Sequence, residues 1–354
     1  MKNENKVCHK TSVGGEALIE GIMMRGPKGN AVACRLPDGS IDIEFLDYRS
    51  IASKSKIFKI PIIRGFIGFI DSMLLGYKSL MKSAEKQGLD AEGIEEEEMS
   101  KFDKWLFDKF GEKVVNIVSG IGMVLGVVLA FALFFWLPTF LFQAVSVNVQ
   151  NGFDSFFHNI ALLFTTDKAD MTNILSAGMQ PFKALFEGVI RMIIFIGYIA
   201  IVSKMPDINR VFQYHGAEHK TIFCYENGLP LTVENVKKQS RFHPRCGTSF
   251  IFLTLIVGIV FSTILSSIVP DVIRDTRILW LAIKILFMPL LMGISYEFIK
   301  YAGRHDGLIV RIISAPGLWM QRLTTKEPSE DSIIEIGIAS LGAVITDNPE
   351  DDAI

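Results

Sequence analysis

Two long stretches without a charged residue constrain this chain more than any other feature. Residues 114–137 and 249–270 contain no Asp, Glu, Lys or Arg. A helix needs about 20 apolar residues to cross the hydrocarbon core of a bilayer, and both stretches are long enough. The whole chain is 49% hydrophobic, a composition that requires either a very large core or a membrane. We therefore predict an integral membrane protein that contacts the lipid bilayer.

Two further apolar stretches complete a set of four predicted spans. They run over residues 185–202, with Glu187 and Arg191 at i, i+4, and over residues 278–299, with Lys284 and Glu297. The loop at residues 203–248 carries seven Lys or Arg, whereas the loops that follow the first and third spans carry few. Basic loops stay in the cytoplasm, so we predict that both termini are cytoplasmic.

The predicted fold is a mainly α-helical integral membrane protein with four transmembrane helices and a small N-terminal α+β cytoplasmic region. Pro37, Asp38 and Gly39 separate two short alternating runs, which predicts a β-hairpin in that region. The predicted divisions are 1–56 (glycine-rich loop and hairpin), 57–113 (interfacial or re-entrant helix and acidic linker), 114–202 (first two spans), 203–248 (metal-binding loop), 249–299 (last two spans) and 300–354 (tail with an amphipathic helix).

Histidines and cysteines are concentrated in the basic loop. Five of the chain's ten such residues lie between positions 215 and 246, where an even spread would place about one: His215, His219, Cys224, His243 and Cys246. His215 and His219 are four residues apart, so on a helix both imidazoles can bind one ion. His243 and Cys246 form a second pair around a proline, as in a turn.

We predict a metal site of His215, His219, His243 and Cys246. Imidazole and thiolate ligands favour zinc over magnesium or calcium, which bind oxygen ligands; iron or another transition metal is left open. Cys224 is a spare ligand, or a small buried residue.

Glu218 is the predicted catalytic residue. With His215 and His219 it forms the pattern His-x-x-Glu-His, which in inverted zinc proteases supplies two ligands and a general base. The alternative role for Glu218 is that of an ion-pair or outer hydrogen-bond partner. Three protein ligands leave a position for catalysis, while four close the site and make the zinc structural. Sequence alone leaves both arrangements open.

Several long motifs resemble one bacterial family. The segments GGEALIEGIMMRG (14–26), YHGAEHKT (214–221), HPRCGTS (243–249) and LTTKEP (323–328) closely resemble the YqhQ-like membrane proteins. That resemblance implies a bacterial inner-membrane protein and a metal-dependent enzyme, without a substrate. It also suggests that Glu20 and Arg25, in a glycine-rich segment, fold against the metal loop as a lid; the alternative is a structural turn.

The function predicted from these features is that of a membrane-embedded, metal-dependent hydrolase at the cytoplasmic face. A water activated by the ion would be the nucleophile, and the substrate would be a lipid, a lipid-linked molecule or a membrane-proximal peptide. The alternatives are a scaffold or membrane-protein assembly factor with a structural zinc, and a transporter that uses Arg191, Lys284 and Glu297. A net charge of −2 gives no reason to expect nucleic acid as a partner, and the oligomeric state is not readable.

Overall fold

The computed structural model describes residues 10–88, 125–126, 128–129, 132–138, 140–142, 180–270, 273, 276–305, 307–346 and 348–352. The strands are β1 (Gly14–Leu18), β2 (Gly21–Gly26), β3 (Gly29–Arg35) and β4 (Ile41–Leu46). The helices are α1 (Ile63–Lys86), α2 (Gln180–Val202), α3 (Pro206–Glu226), α4 (Val233–Lys237), α5 (Gly247–Ile268), α6 (Arg277–Arg304), α7 (Leu308–Thr324) and α8 (Asp331–Val344).

Three helices in the described part of the chain are long and apolar enough to cross a membrane. Their apolar windows are Leu185–Val202 in α2, Gly247–Ser266 in α5 and Leu279–Ala302 in α6. They correspond to the second, third and fourth predicted spans, and they identify the chain as a membrane protein. The first predicted span, at residues 114–137, lies mostly outside the described residues, as does the acidic run in the predicted linker. A total of four spans therefore stays a prediction.

The N-terminal region contains more sheet than the predicted hairpin. The four strands pair antiparallel in the order β1-β2-β3-β4. The predicted hairpin is the β3–β4 pair, with Arg35 opposite Ile41. In its turn Asp38 accepts hydrogen bonds from the backbone and hydroxyl of Ser40, and Gly39 has a φ of +85°, which favours glycine.

The glycine-rich stretch that the sequence predicts to be a loop forms the β1–β2 pair. Glycine is needed in these strands where other segments of the chain approach closely. A Cβ on Gly15 would lie 2.7 Å from the carbonyl oxygen of Met23 and 3.0 Å from Cγ of Glu218. Strand β1 thus lies directly against helix α3.

Helices cover both faces of this sheet. Helices α3 and α8 pack on one face and form the larger core with Ile22, Met24, Ile333 and Leu341. Gly337 of α8 allows the two helices to approach each other, since a Cβ there would meet the hydroxyl of Thr221 at 2.6 Å. The predicted amphipathic helix near the C-terminus is α8, and it packs on protein. This core fixes α3, which carries the candidate site.

Helix α1 covers the opposite face of the sheet, where Leu75 packs with Leu18, Met23 and Val32. Its buried Asp71 accepts hydrogen bonds from the hydroxyls of Tyr48 and Ser50 and from the backbone of Ile51 and Ala52. A buried carboxylate is stable when it is fully hydrogen-bonded. Asp71 therefore ties the segment after β4 to α1.

Candidate metal site

Helix α3 positions two of the predicted ligands on its buried side. Pro206 occupies the first turn, where its missing N–H costs nothing. His215 and His219 then fall on one face, and their ring centroids lie 4.5 Å apart. His219 is 2% exposed, which is unusual for a titratable side chain without a binding or structural role.

Cys246 reaches the same place from the turn that precedes α5. Gln321 of α7 holds this turn: its side-chain oxygen accepts the N–H of His243, and its amide donates to the carbonyl of His243, both at 2.7 Å. The same amide donates to the hydroxyl of Ser249. Gln321 is fully buried, so these bonds fix the backbone beside Cys246.

The side chains of His215, His219 and Cys246 converge. One ligand atom from each lies within 4.8 Å of the others, and Sγ of Cys246 is 3.2 Å from Nε2 of His215. The Nδ1 atoms donate to backbone carbonyls, that of His215 to Thr324 at 2.8 Å and that of His219 to Arg241 at 2.5 Å. Such outer hydrogen bonds fix the tautomer that leaves Nε2 free to bind a metal.

The electrostatics of the cluster favour a cysteine thiolate. Burial raises the pKa of Cys246, but the imidazoles of His215 and His219 outweigh it, so the pKa lies well below its usual value. Burial lowers the pKa of His215, but Cys246 and Glu218 outweigh it and raise that pKa to about 9. The thiolate is both the metal-binding and the nucleophilic form of cysteine.

Glu218 lies beside this cluster in a nearly closed environment. Its carboxylate is 3.9 Å from Nε2 of His215, and its side chain is 5% exposed. Burial raises the pKa of Glu218, and the charges of His219 and His215 only partly offset this effect. The backbone N–H of Gly15 donates to the carboxylate. A carboxyl group in this position can exchange a proton with a reacting group beside it.

The structure also brings Glu16 toward the site, which sequence reasoning did not single out. Glu16 lies in edge strand β1, and its carboxylate packs against Gly76 of α1, where a Cβ would collide with it. Partial burial and the charge of Glu218 raise its pKa, while His215 lowers it. The sequence signal that could have pointed to Glu16 is its position directly after Gly14 and Gly15 in the N-terminal motif.

His243 lies next to the cluster but faces other partners. Its ring centroid is 5.5 Å from that of His219, and its Nε2 lies 3.7 Å from the carboxylate of Glu226. Arg245 also binds Glu226 and lies 3.3 Å from Nε2 of His243. The group of ligand atoms within 4.8 Å in the described residues thus contains His215, His219 and Cys246, without His243.

The remaining candidates lie apart from the cluster. Cys224 is in the core, with its thiol 3.5 Å from the carbonyl of Pro230. Glu297 is paired with Arg64 at 2.5 Å.

Glu20 is in the turn between β1 and β2, has a positive φ and binds Arg210 and the hydroxyl of Tyr214. Arg25 is exposed at the end of β2. These contacts favour a structural turn over a lid.

Comparisons with known proteins give a family without an assigned activity. A family model described as "Protein of unknown function (DUF1385)" matches residues 60–347. The chain is 35% identical over 338 residues to the "Uncharacterized protein YqhQ" of Bacillus subtilis (strain 168), an alignment that covers 94% of this chain and 92% of that protein. No solved structure matches.

Proposed function

The chain belongs to the DUF1385 family, and we propose that it is a zinc-dependent hydrolase at the cytoplasmic face of the bacterial inner membrane. The observation that carries this proposal is the convergence of His215, His219 and Cys246 with both non-ligand imidazole nitrogens bound to backbone carbonyls. Surface histidines that meet by chance have no such restraint. The basic loops support the cytoplasmic orientation and the multi-pass topology with four spans.

The donor set suits zinc. Two imidazole nitrogens and one thiolate match a zinc site with three protein ligands, and a fourth position then stays open for catalysis. Zinc held there would supply a Lewis acid and lower the pKa of a water molecule. A transition metal such as iron accepts the same donors.

The chain's own groups then move the protons. The carboxylate of Glu218 would accept a proton from the attacking water and return it to the leaving group, a role that its raised pKa suits. Its hydrogen bond from the backbone of Gly15 keeps it in place. His243, which the sequence predicts as a ligand, would instead position the turn that carries Cys246 through Glu226. Cys246 directly precedes the apolar window Gly247–Ser266, and this position favours a lipid, lipid-linked or membrane-proximal peptide substrate.

The test begins with the purified full chain in nanodiscs. We expect about one zinc per chain by elemental analysis, and an X-ray absorption spectrum with one sulfur and nitrogen or oxygen ligands. Glu218→Gln should keep the metal but lower hydrolysis of phosphatidylglycerol and phosphatidylethanolamine vesicles, followed by mass spectrometry, by at least about 100-fold. A chain that binds no transition metal after incubation with zinc rules out the proposal.

The same measurements address the alternatives. A scaffold with a structural zinc would bind metal through four protein ligands and show no effect of Glu218→Gln beyond stability. The transporter alternative has less support, because Glu297 pairs with Arg64 and with the backbone of Ile62.

A second enzymatic candidate rests on one distance. Sγ of Cys246 lies 3.2 Å from Nε2 of His215, the spacing of a cysteine nucleophile and its base. In that case the metal-free chain would be the active form, and iodoacetamide would alkylate Cys246 and abolish activity. Under the zinc proposal, bound zinc protects Cys246 from the same reagent.

A further inference from the structure

Helix α1 directs its large apolar side chains away from the protein. The side packed inward carries Leu75 and a set of small or polar residues: Gly65, Asp71, Gly76, Ser79 and Ser83. The outward side carries exposed apolar residues, namely Met73, Leu74, Tyr77, Leu80 and Met81, with Tyr77 67% exposed. These residues recur at helical spacing and form one stripe. An exposed apolar stripe of this length is typical of a surface that binds a protein partner or a membrane.

The start of α1 is joined to one of the three apolar spans. A Cβ on Gly65 would lie 2.7 Å from Cβ of Tyr296 and 2.9 Å from Cα of Gly293, so the two helices are in close backbone contact. Arg64 pairs with Glu297 at 2.5 Å. Both Tyr296 and Glu297 lie near the end of the α6 apolar window, Leu279–Ala302. Helix α1 therefore begins against the C-terminal part of that apolar helix.

The segment that precedes α1 carries charge of one sign. Residues 48–62 contain four Lys or Arg and no Asp or Glu. Before the helix, Lys54, Lys56 and Lys59 are exposed and alternate with Ile57 and Ile60, which are also exposed. Basic residues interleaved with apolar ones are typical of segments that bind anionic headgroups while burying apolar side chains at the acyl boundary.

We propose that α1 and the preceding residues 51–62 bind the surface of an anionic bilayer, with the stripe at the acyl boundary and the lysines among the headgroups. The close contact between the start of α1 and the apolar helix α6 favours lipid over a protein partner. The excess of basic charge before α1 favours lipid for the same reason. This inference concerns membrane attachment and holds whether or not the candidate site binds metal. It also places Glu16, which packs on Gly76 at the inward side of α1, about one helix diameter from the lipid.

The experiment uses spin labels on the full-length chain in nanodiscs of phosphatidylglycerol and phosphatidylcholine. Cys8 is replaced by serine, and the buried Cys34, Cys224 and Cys246 are left in place. One label is attached at Tyr77→Cys on the stripe, and the control is Glu85→Cys, an exposed position on the flank of the same helix. Collision rates with oxygen, which concentrates in lipid, and with a water-soluble nickel chelate are measured for both.

We expect the label at position 77 to collide several-fold more with oxygen than with the chelate, and the label at position 85 to show the reverse. Replacing Lys54, Lys56 and Lys59 together by glutamine should reduce the oxygen preference at position 77. Chelate collisions at position 77 equal to those at 85 would place the stripe in water and overturn the proposal. Low rates with both reagents would show a protein cover, and no change in the triple variant would overturn the role of anionic headgroups.

Discussion

Helix α3 carries two buried polar clusters, and their difference shows what separates a candidate binding site from a structural network. Toward its middle, Glu218 adjoins His215, His219 and Cys246. At its C-terminal end, Glu226 adjoins His243 and Arg245. Each cluster contains a buried carboxylate on α3 and a residue from the turn at positions 243–246.

The C-terminal cluster is neutralised within the chain. Glu226 accepts hydrogen bonds from Arg245 and from the backbone N–H of Thr11. Burial raises its pKa, but hydrogen bonding to His243 and the charge of Arg245 outweigh burial, and the pKa is lowered. A guanidinium repels metal cations, so this cluster binds the N-terminal segment to the turn and serves the fold.

The middle cluster has no such cation among its described contacts. The thiolate of Cys246 faces imidazoles, and an imidazole, unlike a guanidinium, can lose its proton and leave the negative charge available for a cation. Burial makes that charge costly without a partner. The comparison teaches that a guanidinium beside the carboxylate, rather than the number of histidines, distinguishes the two clusters.

The largest expected effect is on metal binding. His219→Ala should lower zinc content from about one ion per chain to nearly none, because loss of a ligand costs more than the roughly 10–100-fold in affinity that loss of an outer partner costs. His243→Ala, the matched control from the other cluster, should retain most of the zinc. Elemental analysis of both variants checks this. Equal losses in the two variants would mean that the clusters form a single site.

The next largest effect is on stability. Arg245→Met leaves Glu226 buried without its cation, which should lower the free energy of unfolding by about 3–5 kcal/mol. The double variant with Glu226→Leu should recover part of this loss, since the uncompensated charge is gone. Thermal unfolding in detergent measures both. If the double variant is no more stable than Arg245→Met, the contribution of Arg245 is packing and not charge.

A smaller loss is expected at Gly216 of α3, which packs against the backbone of the C-terminal segment. A Cβ at this position would collide with the backbone carbonyl oxygen of Lys326. Gly216→Ala should therefore destabilise the chain by about 1–3 kcal/mol, as overpacking does elsewhere. Gly247→Ala, where a Cβ would meet nothing within 4 Å, is the control. Thermal unfolding that ranks Gly247→Ala as the more damaging would contradict this packing.

The smallest effect concerns pH. Burial raises the pKa of Glu20, but hydrogen bonds from Arg210 and Tyr214 outweigh it and lower the pKa below 4.5. A lowered pKa contributes stability that is present above the unfolded value and is lost as pH falls through the folded value. Glu20→Gln should cost about 1 kcal/mol near pH 7, and this cost should shrink as the solution is acidified. An unfolding curve with a constant difference from pH 7 to pH 3 would disagree.

Local patterns were sufficient to predict part of the molecule. Long apolar runs predicted the three apolar helices, and Pro37-Asp38-Gly39 predicted the β3–β4 turn, because both signals depend on neighbouring residues alone. The four-residue spacing of His215 and His219 likewise predicted their shared face on a helix. The convergence of Cys246 with them was expected from clustering, and the structure places it there, while the bound metal stays a prediction.

The rest depends on contacts between distant parts of the chain. Strand β1 is rich in glycine, a poor strand former, and forms because α3 packs closely against Gly15. Glu226 and Arg245 lie against His243, and no spacing rule reveals such a partnership. Gln321 holds the turn from 78 residues away, and Glu16 reaches the site through the packing of β1 on α1.

The carbonyl of Thr324 that receives the Nδ1–H of His215 has a consequence for biogenesis. The ribosome makes both histidines and Cys246 long before it reaches Thr324, and α5 and α6 must be threaded into the bilayer in between. Until then, the imidazole of His215 lacks the acceptor that fixes its tautomer. Metal loading would thus be a late, post-translational event. A chain truncated before Gln321 would insert into the membrane but would lack the contacts that prepare His215 and the turn of Cys246 for a metal.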